Sequence, residues 1–92
     1  QEYVGTYKFI EIKDVQGIPD VTFKFWIQDN QLVRNSNNNP VVRSLYFESL
    51  DNAFEQEDVY KNFEFIRNDA NQITGAIYKS ISTVHLEKLK DE

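Results

Sequence analysis

One stretch, Asn62 to Ile77, constrains the fold of this chain more than any other. Phe63 and Phe65 point one way while Glu64 and Ile66 point the other, the period of two that a strand imposes. Arg67 to Asn71 then makes a polar turn, in which Asp69 or Asn71 can enter the left-handed region and bond its side chain back to the chain. Extension resumes at Gln72, with Ile73, Gly75 and Ile77 falling on one inward row. A glycine within a strand marks a bulge, a bend or another segment passing close by. The pattern is a β-hairpin, and none of its residues suggests a reaction.

The remaining segments repeat this theme. Gln1 to Tyr7 suits a single turn leading into a strand. Tyr7 to Lys13 alternates imperfectly, Ile10 and Ile12 on one face and Tyr7 and Phe9 on the other, so either both faces are covered or the strand twists. Val15 to Asp20 is a connection punctuated by Gly17 and Pro19. Val21, Phe23, Phe25 and Ile27 form an inward row, with Thr22, Lys24, Trp26 and Gln28 opposite. Asp29-Asn30 reads as a tight hairpin into a short strand, Gln31 to Arg34. Asn35 to Asn39 reads as an exposed polar loop. Val41 to Glu48 extends again, with Leu45 and Phe47 as its inner pair. Ser49 to Lys61 is open between a helical turn and a loop with a short strand around Phe54. Ile81 to Leu89 supplies a last strand, and the tail from Lys88 to Glu92 frays.

Seven or eight short strands, with no helix long enough for a parallel crossover, make an all-β chain. The expected architecture is an antiparallel meander that curls into a small barrel, because closure removes exposed edges. At 92 residues it is one domain, 1–92, with room for a modest core. Aromatic residues make up 14% of the chain and favour sheet. It starts with Gln and contains no Met, which suits a fragment of a longer or processed protein.

The net charge is -5, and Glu48, Asp51, Glu55, Glu57 and Asp58 follow one another without an intervening base. That run reads as a solvated edge or loop; a cation site would need those carboxylates to converge. The sign argues against nucleic acid and against an anionic membrane surface. No stretch approaches the length of a membrane span, and without cysteine neither a disulfide framework nor a thiolate metal site is available.

Catalytic signatures are lacking. His85 is the single histidine and falls outward between Val84 and Leu86. No serine lies in a Gly-x-Ser-x-Gly elbow, and the isolated Gly5, Gly17 and Gly75 build no phosphate cradle, so no cofactor is expected. The side chains to watch are aromatic. Trp26 stands opposite the inward row, placed either to anchor a ligand or partner or to pack beneath the Ser49–Lys61 segment or a second domain. Tyr46, Tyr60 and Tyr78 are amphipathic candidates for the same contacts.

Tyr3-Val-Gly-Thr-Tyr7 resembles the tyrosine-x-glycine-x-tyrosine opening of small domains of unknown function. These follow the catalytic domain in bacterial serine β-lactamase-like and penicillin-binding-like proteins. Asp29 to Leu32 is similar to their first turn, Phe54 to a recurring phenylalanine, and Phe63 to Gly75 to their closing half. Asp14 to Asp20 and Asn35 to Pro40 depart from that pattern. The resemblance implies a lipocalin-like barrel serving as a non-catalytic accessory module, in a periplasmic, outer-membrane-anchored or extracellular setting. Its partner would be the neighbouring catalytic domain or another protein. Gly5, Tyr7, Phe23, Phe25, Phe63, Phe65 and Gly75 would be its structural residues. The alternative is a small barrel that binds an apolar or amphipathic ligand, which the aromatic content also suits.

Overall fold

The structure is a computed structural model that describes residues 2–90 and, at Val59, the backbone alone. Its strands are β1 (Gly5–Ile12), β2 (Thr22–Gln28), β3 (Gln31–Ser36), β4 (Asn39–Ser49), β5 (Asn52–Glu55), β6 (Asp58–Arg67), β7 (Ile73–Lys79) and β8 (Thr83–Lys88). Each pairs antiparallel with the next, and β8 pairs with β1, closing the meander into a barrel. The segment around Phe54 is a strand, β5, which settles the open choice there. Asn35 to Asn39 is not a loop: β3 runs through Ser36 and β4 begins at Asn39, leaving Asn37 and Asn38 as the turn. The last strand starts at Thr83, two residues later than the pattern suggested, and Ile81 lies in the preceding turn, fully exposed. The end of the tail, beyond Lys90, lies outside the described residues.

Turn chemistry sets the registers. Asp29 and Asn30 both adopt left-handed conformations (φ 54° and 63°), the requirement of a two-residue hairpin whose twist matches its strands. Gln28 therefore pairs with Gln31, and the ladder carries Phe25 opposite Arg34 and Phe23 opposite Ser36. In the β6–β7 turn it is Asn71 that takes positive φ (63°). The Asn68 side chain accepts from the amides of Ala70 (2.9 Å) and Gln72 (3.0 Å), holding the turn closed.

Inward positions build the core. Tyr7, Phe25 and Phe63 are almost wholly buried, with Phe23, Phe65, Leu45, Ala76, Val84 and Leu86 around them. The rings meet edge to face, Tyr7 on Phe25 at 4.9 Å and Phe25 on Phe63 at 5.2 Å, the arrangement that ring quadrupoles favour. Ile27 and Phe47 share the inward registers but lie towards the strand ends, 41% exposed each. Phe47 still touches Tyr3 at 4.7 Å.

Bulges in β1, β4 and β7 shift the alternation, as an extra residue must, Glu48 being the added residue of β4 between Phe47 and Ser49. In β1, Phe9 pairs with Leu86 and Glu11 with His85, so Ile10 is the added residue and is exposed while Ile12 returns to the core side. That accounts for the imperfect alternation there. In β7, Ile73 pairs with Arg67 and Gly75 with Ile66, so Thr74 is the added residue. The inward row is consequently Ile73, Ala76 and Tyr78. Gly75 and Ile77 belong to the outer face, contrary to the inward row read from the sequence. Close approach is nonetheless what Gly75 serves, because a Cβ there would press into the backbone carbonyl oxygen of Leu86. Gly5 has φ 150°, and the Lys88 stem lies 2.9 Å from where its Cβ would be.

Candidate functional site

Three polar or aromatic features stand out on this frame. Inside the barrel, Arg34 of β3 and Glu55 of β5 form a buried ion pair. Arg34 Nε donates to Glu55 Oε2 at 2.9 Å, and Nη2 donates to the same oxygen. The guanidinium lies 4.3 Å from the Phe23 ring centre and within 5.3–5.6 Å of those of Tyr78 and Phe63. Stacked on Phe63 at 4.6 Å, Tyr78 has a hydroxyl 3.5 Å from Arg34 Nη2, and burial pushes its pKa up. An isolated charge could not be held at this depth, whereas a hydrogen-bonded pair surrounded by ring faces can. Alternation around Ala53 puts Glu55 inward, and the Asp29-Asn30 turn puts Arg34 opposite Phe25. Those two signals are what the sequence offers for this pair.

At the end of the barrel that holds Tyr3, Arg67 gathers the chain. Its guanidinium donates to both Asp51 carboxylate oxygens at 2.8 Å, to both Glu2 oxygens at 2.8 and 3.0 Å, and to the Asn71 carbonyl at 2.9 Å. Tyr3 donates its hydroxyl to Asp51 at 2.9 Å, while Tyr7 donates to the Tyr3 carbonyl. The hydrogen bonds from Arg67 hold the Asp51 and Glu2 carboxyls below their ordinary pKa values. They raise that of Arg67 in return. Burial, together with the bond to Asp51, raises Tyr3. A planar fork of five donors meeting two carboxylates is a fastening: it pins residues 2 and 3 over the barrel end.

These pairs also explain the acidic run, which disperses instead of forming one solvated edge. Asp51 goes to Arg67, Glu55 to Arg34, Glu57 to Arg43 at 2.8 Å and Asp58 to Lys61 at 3.9 Å. Glu48 alone of the five has no ion pair among the described residues.

The third feature is the outer wall of β2–β5. Trp26 pairs with Val33, and Val33 with Ser44, all on the outer face. Val33 is 2% exposed although it stands outside the core cluster. Two residues along β4, Tyr46 pairs with Phe54, their rings edge to face at 5.1 Å. Trp26 is half-buried, its indole N–H donating to the Gln28 side chain at 3.4 Å. Of the four aromatic contact candidates, the wall brings together Trp26 and Tyr46. Tyr60 is apart, 87% exposed beside Ile81 at a small cleft of about 170 Å³. Tyr78 is in the core, 8% exposed, so it is not a surface contact. The member that sequence reading did not assign to this face is Phe54, and its pairing with Tyr46 depends on a register no local signal fixes.

A cleft of about 580 Å³ opens outside the barrel between the β6–β7 turn and the end of β8, among Glu2, Asn71, Gln72, Thr74 and Lys88. His85 lies outward, in register with Glu11 and Ile77. Compared with models of protein families, with curated proteins and with solved structures, the chain matches none of them.

Proposed function

We propose that this chain is a non-catalytic accessory or protein-interaction β domain of a secreted or periplasmic bacterial protein, presenting its outer wall to a protein surface. The interior carries this reading: rings of its own chain meet across the barrel, and the buried Arg34–Glu55 pair spans part of it. Eight-stranded barrels are just wide enough to be filled by side chains or to hold one small ligand, and the ring contacts and buried ion pair support the first course here. The apolar surface that remains is outside, at Trp26, Tyr46 and Phe54, residue types that anchor protein contacts. The lipocalin-like accessory family resembled by Tyr3 to Tyr7 and Phe63 to Gly75 supports the same role.

The test is a titration with a fluorescent fatty-acid analogue. The interaction reading expects no saturable binding up to ~100 μM, in the range where a formed apolar pocket would fill. One-to-one binding that is lost on enlarging Ala76 to Leu, inside the barrel, would establish the ligand-binding alternative instead.

A further inference from the structure

The outward positions of β2–β5 are unlike the rest of this chain. Residues of the Asp, Glu, Lys and Arg types make up 27% of it. Along this wall the outward residues include Trp26, Gln28, Gln31, Val33, Ser44 and Phe54. Its only charged members are Lys24, above Trp26 on β2, and Glu48, at the bulge past Tyr46 on β4. Both are exposed, and neither has an ion-pair partner among the described residues. With a net charge of -5, two copies repel at most approaches. Across this wall the two local charges cancel, so the wall itself adds nothing to that repulsion.

The placement of those charges selects the partner. Lys24 on β2 and Glu48 on β4 stand towards opposite ends of the wall, with the Trp26–Val33–Ser44 and Tyr46–Phe54 rows between them. A two-fold axis lying in the plane of the wall, between those two ends, brings each end of one copy over the other end of its partner, as isologous contacts require. We propose that a second copy of this chain docks here. Trp26, Tyr46 and Phe54 of each copy pack on the other's, and each Lys24 faces the Glu48 of its partner. This rests on the interaction-domain reading and names its partner. Four strands at ~4.8 Å spacing and about six residues at ~3.3 Å give a footprint near 400 Å² per copy. That is half the usual ~800 Å² per partner, so the dimer is weak, with dissociation at roughly 10 to 1,000 μM.

Sedimentation velocity of the 92-residue chain from ~10 μM to ~1 mM tests it, with amide dispersion in NMR spectra as the control for folding. The wild type should pass from monomer to dimer, and Trp26→Lys should remain monomeric. Lys24→Glu and Glu48→Lys should each weaken association about fivefold or more, through two symmetry-related pairs. The double swap should restore it. A chain monomeric at ~1 mM overturns the proposal, as does a dimer indifferent to these changes or a double swap that fails to recover. Trp26 shielded from quencher in a longer natural protein, with the 92-residue chain monomeric, assigns the wall to a neighbouring domain and also overturns it. These outcomes leave the interaction-domain reading standing. Saturable fatty-acid binding inside the barrel removes that reading separately.

Discussion

Arg34 and Glu55 join β3 to β5 inside the barrel, past the strand that separates them, with Arg34 Nε 2.9 Å from Glu55 Oε2. Among the described residues neither side chain has another ion-pair partner, so the stability of each depends on the other. Glu55→Gln or Arg34→Met should each cost about 3 to 5 kcal/mol, because the remaining charge is buried without compensation. The double change to Met and Leu should return to within about 2 kcal/mol of wild type. Urea unfolding of the three variants measures the coupling. Additive losses would show that the two side chains act independently.

This pair also marks where the sequence stops being legible. Phe23 and Phe25, or Phe63 and Phe65, announce their face by simple alternation, and the Asp29-Asn30 turn fixes one register outright. An inward arginine and glutamate have no such announcement, since both residue types are ordinarily exposed. They become readable only by counting back from that turn to Phe25, and outward from Ala53. The bulges at Ile10 and Thr74 are harder still. One added residue reverses the phase for the rest of a strand, and no residue type at those positions reports it. Simple alternation therefore turns Gly75 inward when it faces out, and Tyr78 to the surface when it is core.

Gly75 gives the next prediction. Its backbone approaches the Leu86 carbonyl too closely for any side chain, so Gly75→Val should cost about 1 to 3 kcal/mol despite valine's preference for strands. The urea midpoint reports the change. An unchanged or higher midpoint would mean that β7 and β8 are further apart than described.

The β2–β3 turn is tested at Asn30, whose φ is 63°. A branched residue is strained there, so Asn30→Ile should destabilise by about 1 to 2 kcal/mol. Asn30→Gly should be neutral or better. For a chain of this size each kcal/mol moves the thermal midpoint by about 4 to 8 °C. Equal melting of the two variants would rule out the left-handed pair.

Asp51 sets an acid limb. Its folded pKa is depressed below the ordinary value of 3.8, chiefly by hydrogen bonds from Arg67. The stability it contributes is present above that value and is lost as pH falls through the lower folded pKa. Stability measured by urea unfolding should therefore fall as pH drops below about 4, and Asp51→Asn should flatten that slope. Identical slopes in the two proteins would show that the bonds between Arg67 and Asp51 contribute nothing there.

The most direct measurement of the whole account compares neighbours in β2, Phe25 inside and Trp26 on the wall. Phe25 is 1% exposed and meets Tyr7, Phe63 and Phe65. Removing its ring in Phe25→Ala should cost about 3 to 5 kcal/mol, since the cavity refills only in part. Trp26→Ala should cost about 1 kcal/mol in the monomer, because its ring is only half-buried on the outer face and lies outside the core cluster. Urea melts of the two variants at low protein concentration decide it. A large loss at Phe25 with a small one at Trp26 is the predicted result, and a larger loss at Trp26 would contradict both the packed interior and the outward wall.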